Sequence, residues 1–278
     1  MWRLTLGEIS KIFFRPRSYI GFAVSLFISM LVTFGIFLEG STIVQIALDS
    51  LSDSFGFEGK IINGNLSSFI LYNSFIIHVP ILVSLVAGDT ISGEANAGTI
   101  RLLLTKPVSR FSFYWSKFLA VNFYTVVLIV FFTSFSYLLG IILMGKGDLI
   151  VIRNGINVIS ENDVLWRFLY ATVFTSVSMM VVASLAIMLS TYAKNSLGPI
   201  IGTMAILIAL NIICTVGFST LEPILPYLFN VHFVKWQNYF EFEVNFSAQN
   251  KSIFLQVAYI MLFSVIGYLN FKRKDVLD

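Results

Sequence analysis

Cysteine is all but missing. Cys214 is the single one and lies within a long apolar run, so no intramolecular disulfide can form and the redox compartment is not readable. Charge is scarce too. Asp, Glu, Lys and Arg make up 12% of the 278 residues, about half the roughly 25% usual in soluble domains, which excludes an ordinary water-solvated globule. Inside the six longest apolar runs there is no acid or base at all, and one histidine, His78. Carriers driven by protons or sodium keep ionisable groups at membrane depth as relays and ion sites, so this absence speaks against them. Hydrolysis within a membrane would need a nucleophile–base pair, a carboxylate pair or a metal cluster. Only His78 could serve as a base. Its neighbours Asn73 and Ser74, the latter one turn away, favour a histidine that hydrogen-bonds between helices. Heptads, tandem repeats and low-complexity tracts are absent.

What the chain does have is apolar length: 57% of its residues are hydrophobic and its mean hydropathy is +0.85. About 20 residues cross roughly 30 Å of hydrocarbon. Runs at 19–38, 69–87, 118–144, 168–189, 197–218 and 252–271 meet that length. The expectation is one all-α integral membrane domain over 1–278, with six transmembrane helices and no cleaved leader, since no small-x-small site follows a short apolar core. Twelve of the 18 basic residues fall on the side of the termini, including Arg3, Lys11, Arg15, Arg17 and Lys117. The other side carries the remaining six, with ten of the 15 acids. That asymmetry puts both termini in the cytoplasm.

Residues 1–17 read as an interfacial amphipathic helix: Trp2, Leu6, Ile9 and Phe13 recur at helical spacing, and Arg3, Lys11 and Arg15 are placed to reach water or anionic lipid headgroups. Pro16 ends it. In the first run Gly21, Ser25, Ser29 and Thr33 fall every fourth residue, and Gly198 and Gly202 repeat the spacing in the fifth; small faces let backbones approach closely, within the chain or between subunits. Pro80 is expected to kink the second span, whereas Pro199 follows a Ser196 cap. The outer loop 219–251, with two prolines and many aromatics, suggests short re-entrant helices. GIILMGKG from Gly140 matches a phosphate-loop spacing, but it closes an apolar helix and lacks the Ser or Thr that would hold magnesium; Gly145 and Gly147 read as helix-ending residues.

Between the second and third runs lies GDTISGEANAGTIRLLLTKPVSR, residues 88–110. Ile91, Ala95, Gly98 and Leu102 share one helical face, with acids (Asp89, Glu94) early and bases (Arg101, Lys106) late, as the helix dipole favours. Pro107 stops the helix and Ser109 caps the next. A helix over 89–106 with a notch at Gly98 has the form of a docking knob for another protein.

Gly88-Asp89, Glu94, Gly98-Thr99, Leu102-Leu103 and Pro107-Val108-Ser109-Arg110 before Lys117 resemble the signature of type-2 ABC transporter permeases. The six-run layout, the leader with Phe14-Arg15-Pro16-Arg17 and the closing FKRKDVLD resemble that family as well. The resemblance implies that 89–106 is a coupling helix seated in a cytoplasmic ATPase subunit. It assigns that contact to Asp89, Glu94, Gly98, Thr99, Arg101, Pro107 and Arg110, with a second contact at Lys194. It further implies a second permease subunit (homo- or heterodimer), ATP and Mg on the partner ATPase, no cofactor or catalysis in this chain, and an exporter in a prokaryotic inner membrane. Paired subunits would use the stripe Gly21, Ser25, Ser29, Thr33 and the pair Gly198, Gly202. A solute path would have Asn73, His78, Asn122, Ser176 and Asn211 to line it. Two other readings compete: an ABC-type subunit passing ATPase work to periplasmic or motility partners without moving a solute, and an intramembrane enzyme resting on His78 alone.

Overall fold

A computed structural model describes residues 1–48, 62–99, 109–153, 155–216 and 223–273, with side chains up to residue 40 in the first stretch. Helix α1 (Trp2–Phe14) is followed by α2 (Pro16–Leu48), α3 (Gly64–Phe75), α4 (Val79–Asn96) and α5 (Arg110–Met144). A hairpin of β1 (Leu149–Ile152) and β2 (Ile156–Ile159) leads to α6 (Glu161–Tyr192) and α7 (Leu197–Val216). Two 3₁₀ segments, Leu225–Tyr227 and Phe229–Phe240, precede α8 (Phe246–Arg273). Five of these helices are long and apolar enough to cross a membrane, and six spans result if α3 and α4 count as one bent span. The chain is thus a mostly helical, membrane-embedded protein.

Helix α6 is the central post. In its most apolar stretch 72% of residues are buried, against 17–33% in the other long helices, and it packs on α4, α5, α7, α8 and the longer 3₁₀ segment. The outer faces of α2, α7 and α8 present Phe27, Phe34, Ile201, Ile208, Phe254 and Met261, side chains that lipid solvates without penalty. Where helices meet, polar atoms do the joining: Ser178 Oγ bonds Gln256 Oε1 at 3.0 Å and Tyr72 donates to the Ala171 carbonyl at 3.2 Å.

Several helix ends differ from the sequence expectation. The second span does not merely kink at Pro80. It breaks at Ile76–His78, and the two halves meet at 49°. Pro80 is the second residue of α4, so its missing N–H falls in a first turn, where no intrahelical partner would exist anyway. At the other proline the expected Ser196 cap goes elsewhere, because its hydroxyl bonds Asp89, and Asn195 Oδ1 takes the Gly198 N–H at 2.9 Å instead. The third span starts at Arg110, eight residues before 118, which places Lys117 on a buried face of that helix.

Glycines set the closest approach. A Cβ on Gly64 would lie 2.6 Å from the Gly140 carbonyl group, so α3 and α5 touch backbone to backbone there. Beside this contact α5 ends at Gly145 (φ +77), and Asn63 and Asn65 donate to the carbonyls of Asp148 and Gly147 at 2.7 and 2.6 Å. The phosphate-loop spacing is thereby accounted for as packing and a turn. The hairpin was not foreseen. The long 3₁₀ segment turns back into the fold: Trp236 is fully buried against Tyr72 and Phe69, and Arg167 of α6 donates to the carbonyls of Tyr239 and Phe242 at 2.7 and 3.4 Å.

Candidate functional site

The near end of the bundle, where α1 lies, holds a charged cluster built from five parts of the chain. Apolar residues seat α1: Ile12 is buried, and Phe13 packs on Phe22 and Tyr124 at 6.3 and 5.9 Å. That docking turns Glu8 inward. Arg15 is the extended joint between α1 and α2, with Pro16 as the first residue of α2, and Arg17 follows one residue later. Asp89 and Glu94 sit on the last two turns of α4. Being five residues apart, they point about 140° from each other around the helix and so reach different neighbours.

Glu94 faces α5 and α1. Lys117 Nζ lies 2.8 Å from Glu94 Oε1 and 2.7 Å from Glu8 Oε2, and this lysine is only 1% exposed. Lys11 pairs with Glu8 at 2.6 Å and approaches Glu94 at 3.6 Å. Asp89 faces the start of α2 and the entry to α7. Arg15 and Arg17 donate to its two oxygens at 3.1 and 2.9 Å, and Ser196 adds a third donor. Gly93, one turn on, leaves the space that the Asp89 carboxylate fills, since a Cβ there would run into it. Burial alone would raise the Glu8 carboxyl, but Lys117 and Lys11 outweigh it and hold it below the usual carboxylate value. Burial would lower Lys11, but Glu8 and Glu94 outweigh it and hold that ammonium above its ordinary value.

Four cations and three anions meet in this cluster, leaving one positive charge in surplus. A cavity of about 20 Å³ among them is large enough for one water, and the buried Glu94 Oε2 has no hydrogen-bond partner among the described residues. Removing Lys117, the buried cation among them, would leave Glu94 short of its nearest partner in a low-dielectric site. The arrangement is a clamp. It joins α1, α2, α4 and α5 where α4 leaves the bundle. Beyond it α4 ends at Asn96, and Asn96, Ala97, Gly98 and Thr99 are exposed. Gly98 has φ +69, the left-handed conformation that closes a helix, and Thr99 Oγ1 returns to the Glu94 carbonyl at 3.2 Å.

A profile of the family described as "Protein of unknown function (DUF2705)" matches residues 41–277. The chain belongs to this family. Asp89, Glu94 and Lys117 lie within the matched region, and Glu8, Lys11, Arg15 and Arg17 precede it. The uncharacterized protein YhcI of Bacillus subtilis (strain 168) is 31% identical over 128 residues, covering 44% of this chain and 41% of that protein. The chain thus spans about two fifths of the length of the curated relative it matches.

The structure separates the residues singled out in the sequence. Asp89 and Glu94 are buried and occupied by bonds within the chain, while Gly98 and Thr99 are exposed at the turn. Lys11 and Arg15, expected to reach water or lipid headgroups, are instead paired with Glu8 and Asp89, although about 40% of each side chain remains exposed. Arg101 and Pro107, with the second half of the helix expected over 89–106, lie outside the described residues. Arg110 opens α5 and donates to the Lys272 carbonyl at 2.8 Å, tying α5 to the end of α8. Lys194 is exposed between α6 and α7.

The small-residue stripe of α2 does not face a second subunit. Ser25, Ser29 and Thr33 are fully buried, Ser29 Oγ meets Ser136 Oγ of α5 at 3.2 Å, and a Cβ on Gly21 would touch the Tyr124 hydroxyl. The stripe is spent on α5, the neighbour closest to it in the bundle. Gly198 is exposed, and Gly202 packs by Leu189.

Each of the five polar candidates for a path is engaged in a hydrogen bond within the chain. Asn122 and Ser176 are buried and bond carbonyls of their own helices, Phe118 and Thr172. Exposed Asn73 and Asn211 are each held by the long 3₁₀ segment, through Gln237 at 2.6 Å and Asn230 at 3.1 Å. His78 is exposed at the helix break, its Nδ1 3.1 Å from the Ser74 carbonyl. Sequence reasoning missed Glu8 and the inward role of Lys117. The available signal was three acids beside the apolar runs on a side otherwise rich in bases.

Proposed function

We propose that this chain is the membrane-spanning permease subunit of an ATP-driven exporter resembling type-2 ABC transporters, working with a second permease subunit and a separate cytoplasmic ATPase that binds ATP and Mg. Both termini and the clamp then lie on the cytoplasmic side of a prokaryotic inner membrane, in line with the concentration of Lys and Arg there. One observation carries the reading. Helix α4 is an unbroken rod from the bend at Ile76–His78 to the exposed Gly98 turn, and its base is clamped to α1, α2 and α5. A push on the turn is passed to several helices together instead of bending one. Within this reading Gly98 and Thr99 meet the ATPase, whereas Asp89 and Glu94 transmit the load.

The test is co-purification from the native membrane. Gly98→Trp would confound contact with strain, because φ is positive there. Ala97→Trp adds bulk beside the turn at an exposed residue with φ −78. An ATPase recovered with wild type and lost with folded Ala97→Trp supports the reading, and an ATPase absent from both sinks it.

A second reading, transmission of ATPase work to a periplasmic or motility partner, is favoured by the far end. There the hairpin and the 3₁₀ segment are braced by Arg153 to Asn238 at 2.7 Å and by Arg167, a firm platform for another protein. ATP-dependent flux in vesicles reconstituted with the ATPase would exclude it.

A further inference from the structure

We infer that the near end of the bundle carries a binding site for one anionic phospholipid, its phosphate held by Arg17 and its acyl chain lying between α2 and α7. The inference is independent of the transporter reading. Helix α4 packs on both α2 and α7 and forms the floor of a slot of about 450 Å³ between them, within the usual range for small-molecule sites. Three of its walls change character in the same direction. Along α2, Arg17 gives way to Ile20; at the entry to α7, Ser196 gives way to Leu197 and Ile200; along α4, read backwards, Asn96 gives way to Leu85. The polar end is at the bundle's edge and the apolar end runs into membrane depth, the polarity order of a lipid.

The polar end continues into a second cavity of about 300 Å³ that shares Arg17, Asn96 and Ser196 and adds Arg15 and Asp89. Asp89 faces two arginines, with Ser196 as a neutral third donor, and the four cations of the cluster outnumber its three anions, so one positive charge is left over. Arg17 is the more accessible of the two, with 60% of its side chain exposed, and only one of its nitrogens is engaged with Asp89. A guanidinium presents its donors as a fork that suits phosphate oxygens. The start of α7 adds the positive end of a helix dipole on the same side. A free phosphate would use the arginines and leave the apolar half of the slot without purpose. Exposed Ile20 and Leu197 bound that half and find their natural cover in an acyl chain.

The full-length protein in dodecyl maltoside is incubated separately with dioleoylphosphatidylglycerol, dioleoylphosphatidylcholine and inorganic phosphate. Bound lipid is read by native mass spectrometry and the melting midpoint by heating. Retention of one phosphatidylglycerol about fivefold above phosphatidylcholine is expected, the difference that one arginine makes to an anionic lipid. Arg17→Gln and Ile20→Trp should each remove that preference. Ile20→Trp obstructs the apolar half of the slot without touching an ion pair, so it decides the matter if Arg17→Gln fails to fold. Arg153→Gln, at the far end, should leave retention unchanged. Equal retention of the two lipids, or phosphatidylglycerol retention unchanged in Ile20→Trp, overturns the site. An equal rise in melting midpoint with inorganic phosphate overturns its assignment to a lipid.

Discussion

Lys117 and Glu94 form an ion pair of 2.8 Å in which the lysine is 1% and the acid 5% exposed. The pair joins the third span to the last turns of the second at the point where α4 leaves the bundle. Because Glu8 shares the same ammonium at 2.7 Å, one cation satisfies carboxylates from two other helices.

Replacing Lys117 by Met should therefore cost more than one contact. Breaking a buried pair from one side costs about 3–5 kcal/mol, because the abandoned charge remains. We expect Lys117→Met to lower stability by about 3 kcal/mol and Lys117→Met/Glu94→Gln to recover part of it. Chemical unfolding in detergent measures both. A double variant as unstable as the sum of the two singles would mean that the pair is not coupled.

Stability should show a plateau in pH bounded by two members of the clamp. Glu8 is held below its ordinary 4.5, so its contribution is complete above that pH and is lost as the pH falls through the folded value. Lys11 is held above its ordinary 10.5, so its contribution is complete below that pH and is lost as the pH rises through the folded value. A melting-midpoint scan checks this. Glu8→Gln should flatten the acid arm, and an acid arm identical with and without Glu8 would refute the assignment.

Gly140→Ala should destabilise by about 1–3 kcal/mol, the usual cost of overpacking, since its Cβ would lie 2.7 Å from the Gly64 carbonyl oxygen and from Ser68 Oγ. Gly35→Ala, with nothing within 4 Å, is the control. Equal melting midpoints for the two variants would show that α3 and α5 do not approach so closely.

The stripe on α2 predicts an intramolecular cross-link. In a Cys214→Ser background, Ser29→Cys with Ser136→Cys should oxidise within one chain, because the native hydroxyls are 3.2 Å apart. Dimers on a non-reducing gel as the main product would return the stripe to a subunit interface.

Arg167→Met should loosen the far-end cap. It removes the donor shared by the carbonyls of Tyr239, Glu241 and Phe242, so protease should cut within 241–245 faster while the spans persist. An unchanged digest would mean that the buried aromatics around Trp236 hold the segment unaided.

Much of this architecture was legible in the sequence. Membrane spans are set by length and apolarity, which are local, so each long helix contains all or nearly all of one apolar run, although α2 continues ten residues past 38 and α5 begins eight residues before 118. Pro16 and Gly145 also spoke locally, since a missing N–H or a left-handed residue acts on its own turn. The hairpin was legible and overlooked: LIVIRNGINVIS places Asn154-Gly155 between two apolar runs, a strong hairpin signal.

Partners were not legible. Composition told that bases crowd one side and that Glu8, Asp89 and Glu94 share it. It could not tell that Asp89 would choose Arg15 and Arg17, or that Lys117 would turn inward to two acids, because those choices depend on where separate helices meet. The sequence by itself determined which segments must be helical and buried in lipid, since each span must bond its own backbone and shed its charge. Only the tertiary structure decided which charges pair, which small faces are spent inside the chain, and that Asp89 and Glu94 are anchored while Gly98 is exposed. Pairing energies fall steeply with distance, and distance between helices is a property of the packed bundle.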